Sequence, residues 1–373
     1  MTPAFAQLHP GTPESAGIDA SRLNRAATLL ETEVRGNRLG AASILVARGG
    51  VIVLHRGYGH LSPAPAAPAV APDSVYIVAS ITKPVTATAL MQLVERGLVS
   101  LTDPVSIYIP EFQDAQREHV RVRDLLTHTS GMPDMLPENV ELRRAHAPLS
   151  EFVKHAIATP LLFAPGAAFR YQSMGVLLEA EIIQRVSKTP LPELERKQIF
   201  APLGMEHTEL GLGKFRREDT VQVSPAPGEN AQEAASWGPN SAYWRNIGAP
   251  WGGMHTTTSD LAVLLQTFLN GGVYSGIRIL SPVTVRAMTR DQNDGLNAPW
   301  GLGWALGRSK VWNEFGDLVS PGAFGHAGAT GTVAWADPST GLICVVLTNR
   351  PISVDNGRLL RLVSNAVAAS VEQ

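Results

Sequence analysis

The sequence predicts an α+β fold. An antiparallel sheet is built from both chain ends and flanked by helices, with a mainly helical region inserted beside it. Three observations predict this. Apolar runs broken by tight turns occupy residues 43–57 and the stretch from about 300 onward. Helical spacing of apolar residues dominates the middle of the chain. Helical patterns also stand near both termini, where they can flank a sheet. The expected division is a discontinuous sheet domain, residues 1–76 and 271–373, and a helical domain over 77–270. A cleft between two such units is the natural place for a ligand.

The elements follow in order. "GIDASRLNRAATLLETEVRG" places leucine and alanine at helical spacing after Asp19 or Ser21, either of which suits an N-cap. "SILVARGGVIVLHRG" is two apolar runs around Gly49-Gly50, the pattern of a β-hairpin. "LSPAPAAPAVAP" has no period and reads as a loop. Helices are expected over 80–96, part of 118–128, 149–159, 174–187 and 259–270. "APWGLGWALGR", "GHAGATGTVAWAD" and "GLICVVLTNR" read as strands, and "NGRLLRLVSNAVAASVE" as a closing helix.

Composition narrows the function. The chain has 373 residues, 44% hydrophobic and 17% charged, enough for a sizeable core. A net charge of -2 without a basic stripe argues against nucleic acid or an anionic membrane as partner. The lone Cys344 sits in an apolar run and reads as a small buried hydrophobe, so nothing demands an oxidising compartment. With neither a signal-peptide pattern nor a long apolar span, a soluble, cytoplasmic protein is expected, or a periplasmic or secreted one if a signal was removed. Metal-ligand and phosphate-loop motifs are missing from the sequence, so no cofactor is expected. The sequence sets no oligomeric state.

The chemistry begins at "IVASITKPVTATALMQLVERG", residues 77–97. Ser80 and Lys83 stand one helical turn apart and share a face. Pro84 belongs near a helix start, which puts Ser80 in the first turn, where free N–H groups favour a developing oxyanion. The simpler alternative is that Ser80 is an N-cap. With 24 Ser and six Lys, chance alone gives roughly 0.4 Ser-x-x-Lys matches, so the motif by itself is weak. A lysine on an otherwise apolar helix is harder to dismiss, because burying an ammonium is costly.

Ser-x-x-Lys is the nucleophile motif of β-lactamases and penicillin-binding proteins. Four further stretches resemble the class C branch of that superfamily and the family VIII carboxylesterases, in family order and over nearly the whole chain. They are "VRDLLTHTSGMP" (122–133), "PGAAFRYQSMG" (165–175), "WGGMHTTTSDLAVLLQTFLNGG" (251–272) and "FGHAGATG" (324–331). The resemblance implies a β-lactamase/transpeptidase-like fold and a serine hydrolase that forms an acyl-enzyme on Ser80. It implies Lys83 and Tyr171 as the other catalytic residues, and the backbone N–H groups of Ser80 and Ala329 as the oxyanion hole. Ser173, His326 and Gly328 are implied at the substrate. The "THTSG" turn, with His128 and Ser130, is implied to be structural.

A base must take the serine proton. Free lysine and tyrosine titrate near about 10.4 and about 10, so either needs a drop of roughly three units. The choice between Lys83 and Tyr171 stays open here. Two departures from the β-lactamase pattern bear on the substrate. His326 stands where those enzymes have a lysine, and Ser173 where they have an asparagine amide. Both weaken recognition of penicillins and cephalosporins, so a carboxylesterase acting on small short-chain esters is expected, with weak or no β-lactamase activity. A β-lactamase, a D-amino-acid peptidase or amide hydrolase, an acyltransferase, and a catalytically silent binding domain are the alternatives. The partner expected is a small ester or amide. Three of the seven tryptophans, Trp237, Trp244 and Trp251, are candidates for an acyl-pocket wall or for plain packing.

Overall fold

The computed structural model describes residues 6–372. Among them, seven strands form the main sheet: β1 (His9–Pro10), β2 (Ala41–Arg48), β3 (Val51–Gly59), β4 (Ala305–Leu306), β5 (Phe324–Gly328), β6 (Thr332–Asp337) and β7 (Leu342–Thr348). Their order is β1-β3-β2-β7-β6-β5-β4. Every neighbouring pair is antiparallel except β1 with β3. The chain ends meet where β2 pairs with β7, Ile44 opposite Val346. The β2–β3 hairpin turns at Gly49 and Gly50, whose φ values of 58° and 90° suit glycine.

The side-chain alternation of these strands sorts the core into two layers. Ile44, Val46, Val333, Trp335, Cys344 and Val346 point to one face. There they meet helices α1 (Ala20–Arg35) and, at the C-terminus, α5 (Arg358–Ala368). Asp19 caps α1 by accepting from the Arg22 N–H at 2.9 Å. The Trp335 indole donates to Ser364 Oγ on α5 at 3.0 Å. Leu45, Ala47, Ala334, Ala336, Ile343, Val345 and Leu347 point to the other face and join the larger core of the helical region. Burial pushes the Cys344 thiol up, so it stays a protonated hydrophobe.

The helical region is built around α2 (Thr82–Glu95), buried without a break from Thr82 to Leu93. It packs on α3 (Met174–Ser187). Gly97, at φ 69°, follows the last turn and donates its N–H to the Val94 carbonyl, which ends the helix. A three-stranded ribbon of Tyr76–Ile77, Met254–Thr256 and Glu209–Leu210 fastens the segment before α2.

Two sequence expectations need correction. The helix expected over 259–270 is present as α4 (Thr258–Leu269), but it packs on β2, β6 and β7. It therefore belongs with the sheet, and the boundary drawn at 270 cuts across a continuous core. The run "APWGLGWALGR" yields only the two residues of β4. Its glycines serve close approach instead of a ladder. A Cβ on Gly303 would lie 2.3 Å from the Ala87 methyl of α2, and one on Gly301 would lie 2.1 Å from the Met288 carbonyl oxygen. Among the described residues no helix is long and apolar enough to cross a membrane.

Candidate active site

A short 3-10 turn, Ala79–Ile81, leads into α2 and carries Ser80. Ala79 holds a left-handed φ of 45°, an uncommon conformation for a residue with a Cβ, and it turns the chain sharply before the serine. The turn from β5 to β6 grips this segment. Thr330 Oγ1 donates to the Ile77 carbonyl at 2.9 Å and Thr332 Oγ1 to the Val78 carbonyl at 3.1 Å. Gly328 makes the approach possible, because a Cβ there would sit 2.1 Å from the Val78 oxygen. Ala329 and Ser80 consequently face the same cavity.

Ser80 is not an N-cap. Its side chain makes no capping bond, and Ser80 Oγ instead accepts from Lys83 Nζ at 3.0 Å. Lys83 Nζ also donates to the Trp251 carbonyl at 2.9 Å and lies 4.9 Å from the centre of the Tyr171 ring. The lysine is 2% exposed. Burial brings its ammonium down to about 7, with Asp134 and Glu179 acting weakly in the opposite direction. Glu179, buried on α3, is itself pushed up to about 8 by burial, so at neutral pH it is mostly protonated and offers Lys83 little compensating charge.

Tyr171 stands on the other side of the lysine, packed among His128, Trp300 and Trp312 with ring centres 4.6, 5.9 and 5.1 Å away. Burial pushes its phenol well above the ordinary tyrosine value, the Ser80 hydroxyl acting in the opposite direction. Burial thus moves the two groups apart, the Tyr171 phenol up and the Lys83 ammonium down.

His326 departs from its expected place. It is fully buried on β5 behind Tyr171 and does not line the cavity. Its Nδ1 lies 2.6 Å from the Ala327 carbonyl, which can only accept, so Nδ1 carries the proton. Nε2 is then an acceptor and faces the Tyr171 hydroxyl at 3.4 Å. Burial lowers His326 to about 3, with Lys83 adding to the effect. It is buried against the tyrosine and is not part of the cavity wall. Gly328 also lies outside the cavity wall and acts through the close approach described above.

Ser173 does line the cavity, but its hydroxyl is committed to Asp134 Oδ1 at 2.6 Å. The neighbouring Gln172 is wholly structural. Its Oε1 accepts from Ser130 Oγ at 2.7 Å, and its Nε2 donates to the carbonyls of Asp124 and Leu125 at 3.1 and 3.2 Å. The "THTSG" turn is tied into the core by these bonds.

The cavity has a volume of about 240 Å³. Its wall includes Ser80, Tyr171, Ser173, Ala329, Met135 and three tryptophans, Trp244, Trp251 and Trp312. Trp237 is not among them. Two charged residues in the wall, Asp134 and Arg143, escaped the sequence reading. Asp134 directly follows the "THTSGMP" stretch, and nothing in its spacing marks it. A larger cavity of about 660 Å³, lined by Asn37, His60, Gln222 and Asn349 among others, shares no wall residue with this one.

The profile of the family described as Beta-lactamase matches residues 26–368. The chain belongs to the β-lactamase family. A Salmonella agona (strain SL483) protein named D-alanyl-D-alanine carboxypeptidase is 30% identical over 385 aligned positions, covering 94% of this chain and 88% of that protein. Among solved structures, a family VIII carboxylesterase superposes with a TM-score of 0.74 at 23% identity, covering 94% of this chain and 99% of its own. EstCE1, described as a hydrolase with promiscuous acyltransferase activity, superposes with a TM-score of 0.75 at 20% identity, covering 93% and 99%. At such identities the structures speak for the fold alone. Family, fold and relatives together make this β-lactamase-family chain a serine hydrolase.

Proposed function

We propose that this β-lactamase-family protein is a carboxylesterase acting on small short-chain esters through an acyl-enzyme on Ser80. The observation that carries this is the 3.0 Å contact of Ser80 Oγ with a buried lysine brought down to about 7. The neutral Lys83 amine takes the Ser80 proton as Oγ attacks the ester carbonyl. The N–H groups of Ser80 and Ala329, facing one cavity, receive the oxyanion. Collapse releases the alcohol, which takes the proton from the Lys83 ammonium and leaves the amine neutral again. Water then attacks the acyl-enzyme, with Lys83 again as base. His326, neutral and buried, puts no cation on β5, where β-lactamases carry the lysine that meets the β-lactam carboxylate, and Ser173 spends its hydroxyl on Asp134. Both support weak or no β-lactamase activity. The name of the Salmonella relative keeps an amide-cleaving activity on the same serine as the second reading.

The small cavity sets the expected acyl preference. Each well-buried methylene adds about 0.8 kcal/mol until the wall is reached. Across a p-nitrophenyl ester series, kcat/KM is expected to peak between about two and six acyl carbons. A chromogenic cephalosporin and a D-alanyl amide, run beside the esters with Ser80→Ala as control, test the choice of substrate. Turnover of the amide or the cephalosporin above every ester, or a kcat/KM still climbing at twelve carbons, overturns the reading.

A further inference from the structure

We infer that Arg143 is a receptor for a carboxylate on the substrate, so that the preferred esters carry a negative charge on their acyl or their leaving-group side. This assignment rests on Ser80 acting as the ester-cleaving nucleophile of the same cavity.

Arg143 sits in the last turn of the short helix Asn139–Arg144. The next residue, Arg144, points outward and pairs with Glu233 at 2.7 Å. Arg143 turns the other way, into the cavity wall. Its guanidinium stacks on the Trp244 ring at 3.8 Å from the ring centre. Its Nε is buried without a hydrogen-bond partner. Among the described residues no carboxylate pairs with it, and Tyr243 is the one titratable group that acts on its charge. Burial lowers Arg143 only to about 10, so it remains a cation at neutral pH.

A half-buried charge without a partner is costly to keep, and an arginine held face-down on an indole still offers in-plane N–H donors to a planar anion. The cavity therefore presents a fixed cation with unused donors beside an acyl-accepting serine. The sequence reading left the site without a permanent cation, because His326 stands where β-lactamases have a lysine, whereas Arg143 brings one into the wall from the helix Asn139–Arg144. Asp134, held by the Ser173 hydroxyl, is the other charge in the wall, and it repels an anion from the Ser173 side. The carboxylate is thereby confined to the side of Arg143 and Trp244.

The test uses two substrate pairs on the purified full chain. Monoethyl succinate and ethyl 4-methylpentanoate have the same acyl shape and differ in charge. 4-Carboxyphenyl butyrate and 4-acetylphenyl butyrate place the same difference on the leaving group. The quantity read is the charged-to-neutral ratio of kcat/KM, which cancels any difference in the amount of folded enzyme. Arg143→Met is expected to lower that ratio at least about fivefold in one of the pairs, with Arg143→Lys retaining part of it. The pair affected tells whether the anion lies on the acyl or the alcohol side. A change smaller than that in both pairs, with the neutral esters still cleaved in a Ser80-dependent way, overturns the role of Arg143 and leaves the esterase reading intact. Failure of wild type to cleave any of the four esters sinks both.

Discussion

Ser80→Ala is expected to lower kcat/KM for a short-chain p-nitrophenyl ester by about 10⁴-fold or more. The size follows from what the side chain does. Ser80 Oγ is the one hydroxyl that meets a buried amine in this cavity among the described residues, at 3.0 Å from Lys83 Nζ. Without it no covalent intermediate forms, and what remains is positioning of the ester against the backbone N–H groups. The substitution removes one small atom at a position 8% exposed, so the fold should survive. Steady-state kinetics of the mutant beside a thermal melt checks both points. A mutant that keeps more than a hundredth of wild-type kcat/KM shows that another nucleophile is at work.

Lys83→Met is expected to lower kcat by about 10²–10⁴-fold, the range of a lost general base. Methionine keeps the length and apolar stem of the side chain within the buried helix, so the change reports on the amine. The pH dependence separates base from scaffold. In the proposed mechanism the active form of the wild type has neutral Lys83, so activity is expected to rise with pH and level off above about 7. The direction follows from the shift. Burial lowers the lysine, which leaves the amine free above about 7 and protonated, unable to accept from Ser80, below it. His326 and Tyr171 contribute no competing limb near neutrality, since the first is held near 3 and the second well above its ordinary value. The residual activity of the methionine variant should lack that rise. A profile identical to wild type would place the base elsewhere.

The parts of the fold written in local pattern were legible. The helix expected over 174–187 is α3, Met174–Ser187, and the hairpin turns where Gly49-Gly50 said it would. The contact of Ser80 with Lys83 was legible as a possibility, because a spacing of three residues at a helix start can bring two side chains together, but the spacing alone left chance open. Tyr171 came only from the resemblance, since its meeting with Lys83 depends on α2 and α3 packing together. The glycine-rich stretch before β4 misled because glycine between tryptophans marks a close approach to α2 as readily as a strand turn. His326 shows another limit. Alternation along β5 tells which way a side chain points, but not that Trp300, Trp312 and Tyr171 close over it. Arg143 and Asp134 had no local signature at all. Their place is set by how the chain between 131 and 147 folds over the cavity, and the unpaired charge of Arg143 becomes visible only beside the paired Arg144.

In the proposed mechanism Ser80 is activated by Lys83, which burial brings down to about 7. The rate of fluorophosphonate labelling against pH, with the modified peptide identified by mass spectrometry, tests that pairing most directly. The adduct is expected on Ser80 alone, with a labelling rate that rises through an apparent pKa of about 7. An adduct on any other residue, or a rate that still climbs toward the ordinary lysine or tyrosine range without levelling, contradicts it.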